Sequence, residues 1–129
     1  MNKEVSLPLA KLLKEKGFDA YCDKKYIAQC LWQKPNSREK YKNSEIHKNS
    51  GDISAPTIAD VVMQLYEKHG IWIMVEMTGS KKFYPRGRMI DKKGKHHVGD
   101  FKYNNERLIY NSPTEAYEAG IEYTLNHLI

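Results

Sequence analysis

Apolar residues recur at helical spacing in three parts of this chain, with strand-like runs between them. Leu9, Leu12 and Leu13 share one helical face behind Ser6-Leu7-Pro8, a cap followed by proline in the first turn, and Gly17 stops the helix. Tyr26-Ile27-Ala28-Gln29-Cys30-Leu31-Trp32 reads as a strand. Residues 34–51 are rich in Asn, Ser and Lys, with little apolar beyond Tyr41 and Ile46, which predicts a mobile polar surface loop.

The strongest helix signal covers residues 57–69. Thr57 and Asp60 have capping-box spacing, with Asp in place of the preferred Glu, and Ile58, Val61, Val62, Leu65 and Tyr66 form one stripe ahead of Gly70. Residues 71–77 are apolar at both alternations up to Glu76, which predicts a central strand covered on two sides. Gly79-Ser80 leads into a strand over 81–90, and Asp91-Lys92-Lys93-Gly94 is a second turn into a strand over 95–101. Pro85 and Gly87 predict a bulge or bend in the first of these. Asn104-Asn105 is a third turn signal, and 107–110 fits a further short strand. Ser112-Pro113-Thr114-Glu115 opens the last helix, whose stripe is Tyr117, Gly120, Ile121, Thr124, Leu125 and Leu128. The order α-β-α-β-β-β-(β)-α defines an α+β class: one domain over 1–129, an antiparallel sheet of three to five strands packed on one face by about three helices.

A chain of 129 residues with 40% hydrophobic and 29% charged residues fits one ordinary globular domain. Its first residues lack the apolar run of a signal peptide and no segment matches a membrane span, so the expectation is a cytoplasmic protein with no membrane partner. Cys22 and Cys30 show neither Cys-x-x-Cys nor zinc spacing and are expected as free thiols.

Charge changes the picture more than composition does. Residues 79–102 carry eight bases (Lys81, Lys82, Arg86, Arg88, Lys92, Lys93, Lys95, Lys102) against Asp91 and Asp100, a balance of +6 in a chain whose total is +5. Strand alternation sets Tyr84, Arg86, Arg88 and Ile90 on one face, opposite Phe83, Pro85, Gly87 and Met89. Arginine forks beside a stackable ring suit phosphates or single-stranded bases, and Lys92, Lys93 and Lys95 extend the patch. The same residues suit a protein-partner surface, or protection of a sheet edge against aggregation. The candidate partner-binding residues are therefore Lys81, Lys82, Tyr84, Arg86, Arg88, Lys92, Lys93 and Lys95.

Catalytic and metal motifs do not accompany the patch. The chain has no Gly-x-Ser-x-Gly, phosphate-binding glycine loop or His-Glu-x-x-His, so no catalytic residue, metal ligand or cofactor is assigned. His96 and His97 are adjacent and point to opposite strand faces, while His69 and His127 fall near the C-terminal ends of their helices and are expected as capping residues and not ligands. Glu115, Glu118 and Glu122 read as a solvated acidic face. The α-β-β-β-α order from Thr57 onward matches a double-stranded-RNA-binding domain in order alone, because Ser112-Pro113-Thr114-Glu115-Ala116-Tyr117-Glu118 places two acids where that family has a lysine cluster.

Three segments together carry a resemblance: Leu9-Ala10-Lys11-Leu12-Leu13-Lys14-Glu15-Lys16-Gly17-Phe18-Asp19; Ser54-Ala55-Pro56-Thr57-Ile58-Ala59-Asp60-Val61-Val62-Met63-Gln64-Leu65-Tyr66-Glu67-Lys68-His69-Gly70-Ile71; and Ser112-Pro113-Thr114-Glu115-Ala116-Tyr117-Glu118-Ala119-Gly120-Ile121-Glu122. They resemble a family of small uncharacterised proteins of Bacteroidetes genomes and their phages or prophages. The resemblance implies a scaffold and a mobile-element origin, with no activity attached. The expected function is that of a phage- or prophage-type accessory protein, a non-catalytic binding module contacting a protein or nucleic acid through the basic hairpins. The alternative is a small enzyme or nucleotide-binding protein whose site is assembled from distant residues, such as Tyr84, Arg86 and Arg88 with a histidine.

Overall fold

The computed structural model describes residues 3–33, 40–46, 51–90, 93–103 and 106–129, apart from the side chains of Asp100 and Tyr103. The protein is α+β, with three α-helices and antiparallel strands in the expected order among the described residues, and the chain divides into two compact units, Asn2–Thr57 and Ile58–Ile129. The strands are distributed over two three-stranded sheets and a two-stranded ribbon.

In the first unit, α1 (Leu7–Glu15) buries Leu9, Ala10 and Leu13 and packs on β3 (Ile53–Ser54). The helix stops at Gly17, where φ is +88°. The run expected as a single strand is a hairpin of β1 (Lys25–Ile27) and β2 (Cys30–Trp32), completed by β3 in the order β2-β1-β3. Ala28 and Gln29 make the two-residue turn with φ of 47° and 69°, the left-handed geometry that matches strand twist. Neither residue is a turn former, so the reversal left no local signal.

The expected mobile loop needs correction for residues 40–46. Tyr41 is buried and exchanges two backbone hydrogen bonds of 2.7 Å with Cys22. Asn43, in a 3₁₀ turn over Asn43–Glu45, donates from Nδ2 to the Phe18 carbonyl at 3.0 Å and accepts from the Ser54 amide at 3.0 Å. One buried ring and one amide bonded at both ends offset the ordering entropy that composition alone could not. Residues 34–39 and 47–50 lie outside the described residues. Cys22 is buried and donates from Sγ to the Ala20 carbonyl at 3.3 Å, Cys30 is exposed, and the two form no disulfide.

In the second unit, α2 (Ile58–His69) buries Ile58, Val61, Val62 and Leu65 and ends at Gly70, with φ of +67°. Strands β4 (Ile71–Met77), β5 (Phe83–Ile90) and β6 (His96–Asp100) form a sheet in that order. Strand β4 is thus at one side of the sheet and not at its centre. Its Ile71 and Ile73 are buried, whereas Trp72 is 37% exposed and Val75 half-buried. The run is apolar on both faces because the open face keeps Trp72 and Met74, not because helices cover both sides.

Helices α2 and α3 (Pro113–His127) pack against β4, α3 reaches β5 as well, and Ser112 caps α3 by accepting from the Glu115 amide at 3.2 Å. No bulge occurs at Pro85 or Gly87: the ladder runs in unbroken one-to-one register from Ile71↔Met89 to Met77↔Phe83. A short ribbon, β7 (Lys102–Tyr103) with β8 (Glu106–Arg107), follows β6. Beyond it Tyr110 forms a bridge to Phe83 through backbone hydrogen bonds of 2.8 and 2.7 Å, in place of a strand over 107–110. Asp91, Lys92, Asn104 and Asn105 lie outside the described residues. Among those described, no helix is long and apolar enough to cross a membrane.

Candidate functional site: the open face of the β4-β5-β6 sheet

Directly paired residues on antiparallel strands point to the same face, so the register defines what the side opposite the helices displays. From one end of β5 to the other, Ile90 and His96 form one row, Trp72, Arg88 and Val98 the next, Met74 and Arg86 a third, and Glu76 and Tyr84 a fourth. Successive rows on β5 are about 7 Å apart. Trp72, Val98 and Ile90 are 37%, 49% and 44% exposed, and Arg88 and His96 are exposed beside them. The Trp72 ring is steadied by an edge contact with Tyr66 of α2, with centroids 5.6 Å apart and planes at 86°.

The structure brings together some of the sequence candidates and separates others. Tyr84, Arg86 and Arg88 share the open face as the alternation required. Glu76, on the neighbouring strand, accepts from the Tyr84 hydroxyl at 2.9 Å and from Arg86 Nη1 at 3.0 Å, so Arg86 enters the face already ion-paired. Arg107 lies 4.2 Å from the centre of the Tyr84 ring. Lys81 and Lys82 belong to the β4–β5 turn, where Lys81 takes a left-handed φ of 61° and the Lys82 ammonium donates to Asn111. Lys93 and Lys95 are exposed at the other end of the hairpin. The eight residues of β5 put about 26 Å of extended chain between these two lysine pairs. Lys92 lies outside the described residues. His96 faces the open side beside Ile90, and His97 pairs with Met89 on the other.

Two features of this arrangement bear on its role. Strand β5 is hydrogen-bonded on both sides, so Arg86 and Arg88 do not guard a sheet edge. Charge is also segregated: the segment from Ile71 to Arg107 carries nine Lys or Arg and four Asp or Glu, whereas α2 and α3, on the covered side, carry one and five. The unit is basic on its strands and acidic on its helices.

Apart from this face, a cleft of about 230 Å³ lies beside α3, lined by residues that include Tyr110, Glu122, Tyr123 and His127. Burial raises the Tyr110 pKa, and the negative charges of Glu122 and Glu115 raise it further. A phenol held in its neutral form is the opposite of an activated base or nucleophile at neutral pH. Tyr123 is stacked on Phe101 at 4.9 Å, and His127 lies 4.7 Å from Tyr123. Among the described residues no three of His, Cys, Asp and Glu are grouped to hold a metal ion.

No protein-family model, no curated protein and no solved structure matches the chain. The site therefore stands on its own geometry. Trp72, Val98 and Arg107 are the residues of the open face that sequence reasoning missed. Trp72 was assigned to a two-side-covered strand, and its place beside Arg88 depends on the register set by the β4–β5 turn. Arg107 reaches Tyr84 through the ribbon, and the local turn signal at Asn104-Asn105 does not say which ring the arginine meets.

Proposed function

We propose that the protein is a non-catalytic binding module that holds an anionic macromolecule on the open face of the β4-β5-β6 sheet. The carrying observation is Arg88, exposed on a central strand between Trp72 and Val98, on the side of the sheet away from two acidic helices. A cation there is not needed to protect an edge, and the neighbouring apolar side chains exclude water from one flank of its charge, which strengthens its attraction for an anion. Lys93 and Lys95 add to the field at one end of the face. An accessory role in a phage or other mobile element, as the resemblance implies, fits a module of this kind, and residence in the cytoplasm goes with it.

Fluorescein-labelled heparin, followed by anisotropy, tests the reading. Affinity should fall steeply with added salt, because each neutralised anionic group releases condensed counterions. Arg88→Glu should weaken binding about tenfold or more and flatten the salt dependence, with the thermal midpoint nearly unchanged. Binding that ignores both salt and Arg88→Glu would refute an anion site on this face.

A further inference from the structure

We infer that the anion is a single-stranded nucleic acid, with a base stacked on Trp72 and the phosphates running past Arg88 toward Lys93 and Lys95; this rests on the binding reading above. A plain polyanion calls only for cations. The open face offers more, because Trp72, Val98 and Ile90 expose a third to a half of their surface within the same rows as Arg88 and His96. Apolar area left in water is unfavourable, so the fitting ligand presents flat apolar surface and negative charge at alternate points along its length. An unpaired strand does so, since its bases are free to splay while its phosphates stay hydrated.

Three details favour single strands over a duplex. A duplex hides its base faces in the stack, leaving Trp72 and Val98 nothing to cover them. A three-stranded sheet is also wider than the helix or two-stranded ribbon that a major groove admits. Trp72 is already held by Tyr66, so stacking on it sacrifices little ring freedom, and the Arg107–Tyr84 pair is a second flat cationic platform on the same face.

The chain has two tryptophans, so Trp32→Phe leaves Trp72 as the sole indole reporter. Oligo(dT) of about 15 nucleotides, a duplex of the same length and heparin are titrated in turn at low salt. The expected result is quenching of Trp72 emission by oligo(dT), with weaker binding and no quenching by the duplex. In the otherwise natural chain, Trp72→Leu should weaken oligo(dT) about tenfold and leave heparin within about twofold, the latter also reporting that the variant is folded. If heparin binds in an Arg88-dependent way but Trp72→Leu affects both ligands alike, or the duplex binds as tightly as oligo(dT), the anion site stands and the single-strand assignment falls. If neither oligo(dT) nor heparin binds, both fall, and an acidic protein becomes the occupant to seek.

Discussion

The Phe101 ring occupies the space that a side chain on Gly87 would need. An ideal β-carbon built on Gly87 lies 2.5 Å from Phe101 Cζ and 2.6 Å from Cε1, closer than real carbon contacts allow. Gly120 of α3 completes the arrangement from the other side, its own β-carbon position lying 3.0 Å from Ile73 Cγ2 and 3.2 Å from Phe101 Cε2. Two glycines therefore let one phenyl ring lie flat between helix and sheet. Gly87→Ala should destabilise the protein by about 1–3 kcal/mol through overpacking. A lower urea midpoint at unchanged m is the measurement, and Phe101→Leu added to Gly87→Ala should recover part of the loss. An unaffected midpoint in Gly87→Ala would contradict the contact.

The β1–β2 turn asks two L-residues to adopt left-handed φ, at Ala28 and Gln29. Ala28→Asn with Gln29→Gly supplies the residues that prefer this turn and should raise stability by about 1 kcal/mol. The thermal midpoint should rise. A fall would mean that the strand does not reverse there.

Glu76 joins Tyr84 and Arg86 through its two carboxylate oxygens, at 2.9 and 3.0 Å, in a partly solvated setting. Glu76→Gln keeps the shape and removes the charge, so stability should change by no more than about 1 kcal/mol. With one anion fewer, the open face should bind labelled heparin more tightly and with a steeper salt dependence. Weaker binding would place the anion elsewhere.

Tyr110 should ionise later than an ordinary tyrosine, chiefly because it is partly buried and secondarily because of Glu122 and Glu115. The folded pKa lies above the unfolded one, so the associated stability is complete below the ordinary tyrosine range and is lost as pH rises through the folded value. Stability should fall as this phenol ionises. In an ultraviolet titration Tyr110→Phe should remove a late-ionising phenol, and Glu122→Gln should bring that phenol only part of the way down, since burial is the larger cause. Tyr21, also raised through its hydrogen bond to Glu45, is separated by Tyr21→Phe. A titration curve that Tyr110→Phe leaves unchanged at its alkaline end would contradict the assignment.

The sequence by itself determined the three helices, because their buried stripes repeat every three or four residues and the signals at their ends are local: the Gly17 and Gly70 stops and the Ser112 cap each act within one turn of chain. It also determined that Tyr84, Arg86 and Arg88 share a face, since alternation belongs to the strand alone. Tertiary structure decided the rest through pairings between distant residues. Alternation cannot say whether β4 is central or lateral, so Trp72 became legible as a surface residue only once its register with Arg88 was known. Composition marked Tyr41 as an isolated ring in a polar loop, and only its pairing with Cys22 makes it part of a core. Gly87 looked like a weak point in a strand because the ring that needs its missing side chain is supplied by Phe101, fourteen residues further along the chain. The charge total was visible from the start. That the strand segment of the second unit is net basic and its two helices net acidic on opposite sides of the sheet is a property of packing, because only folding turns an order along the chain into two sides of a surface.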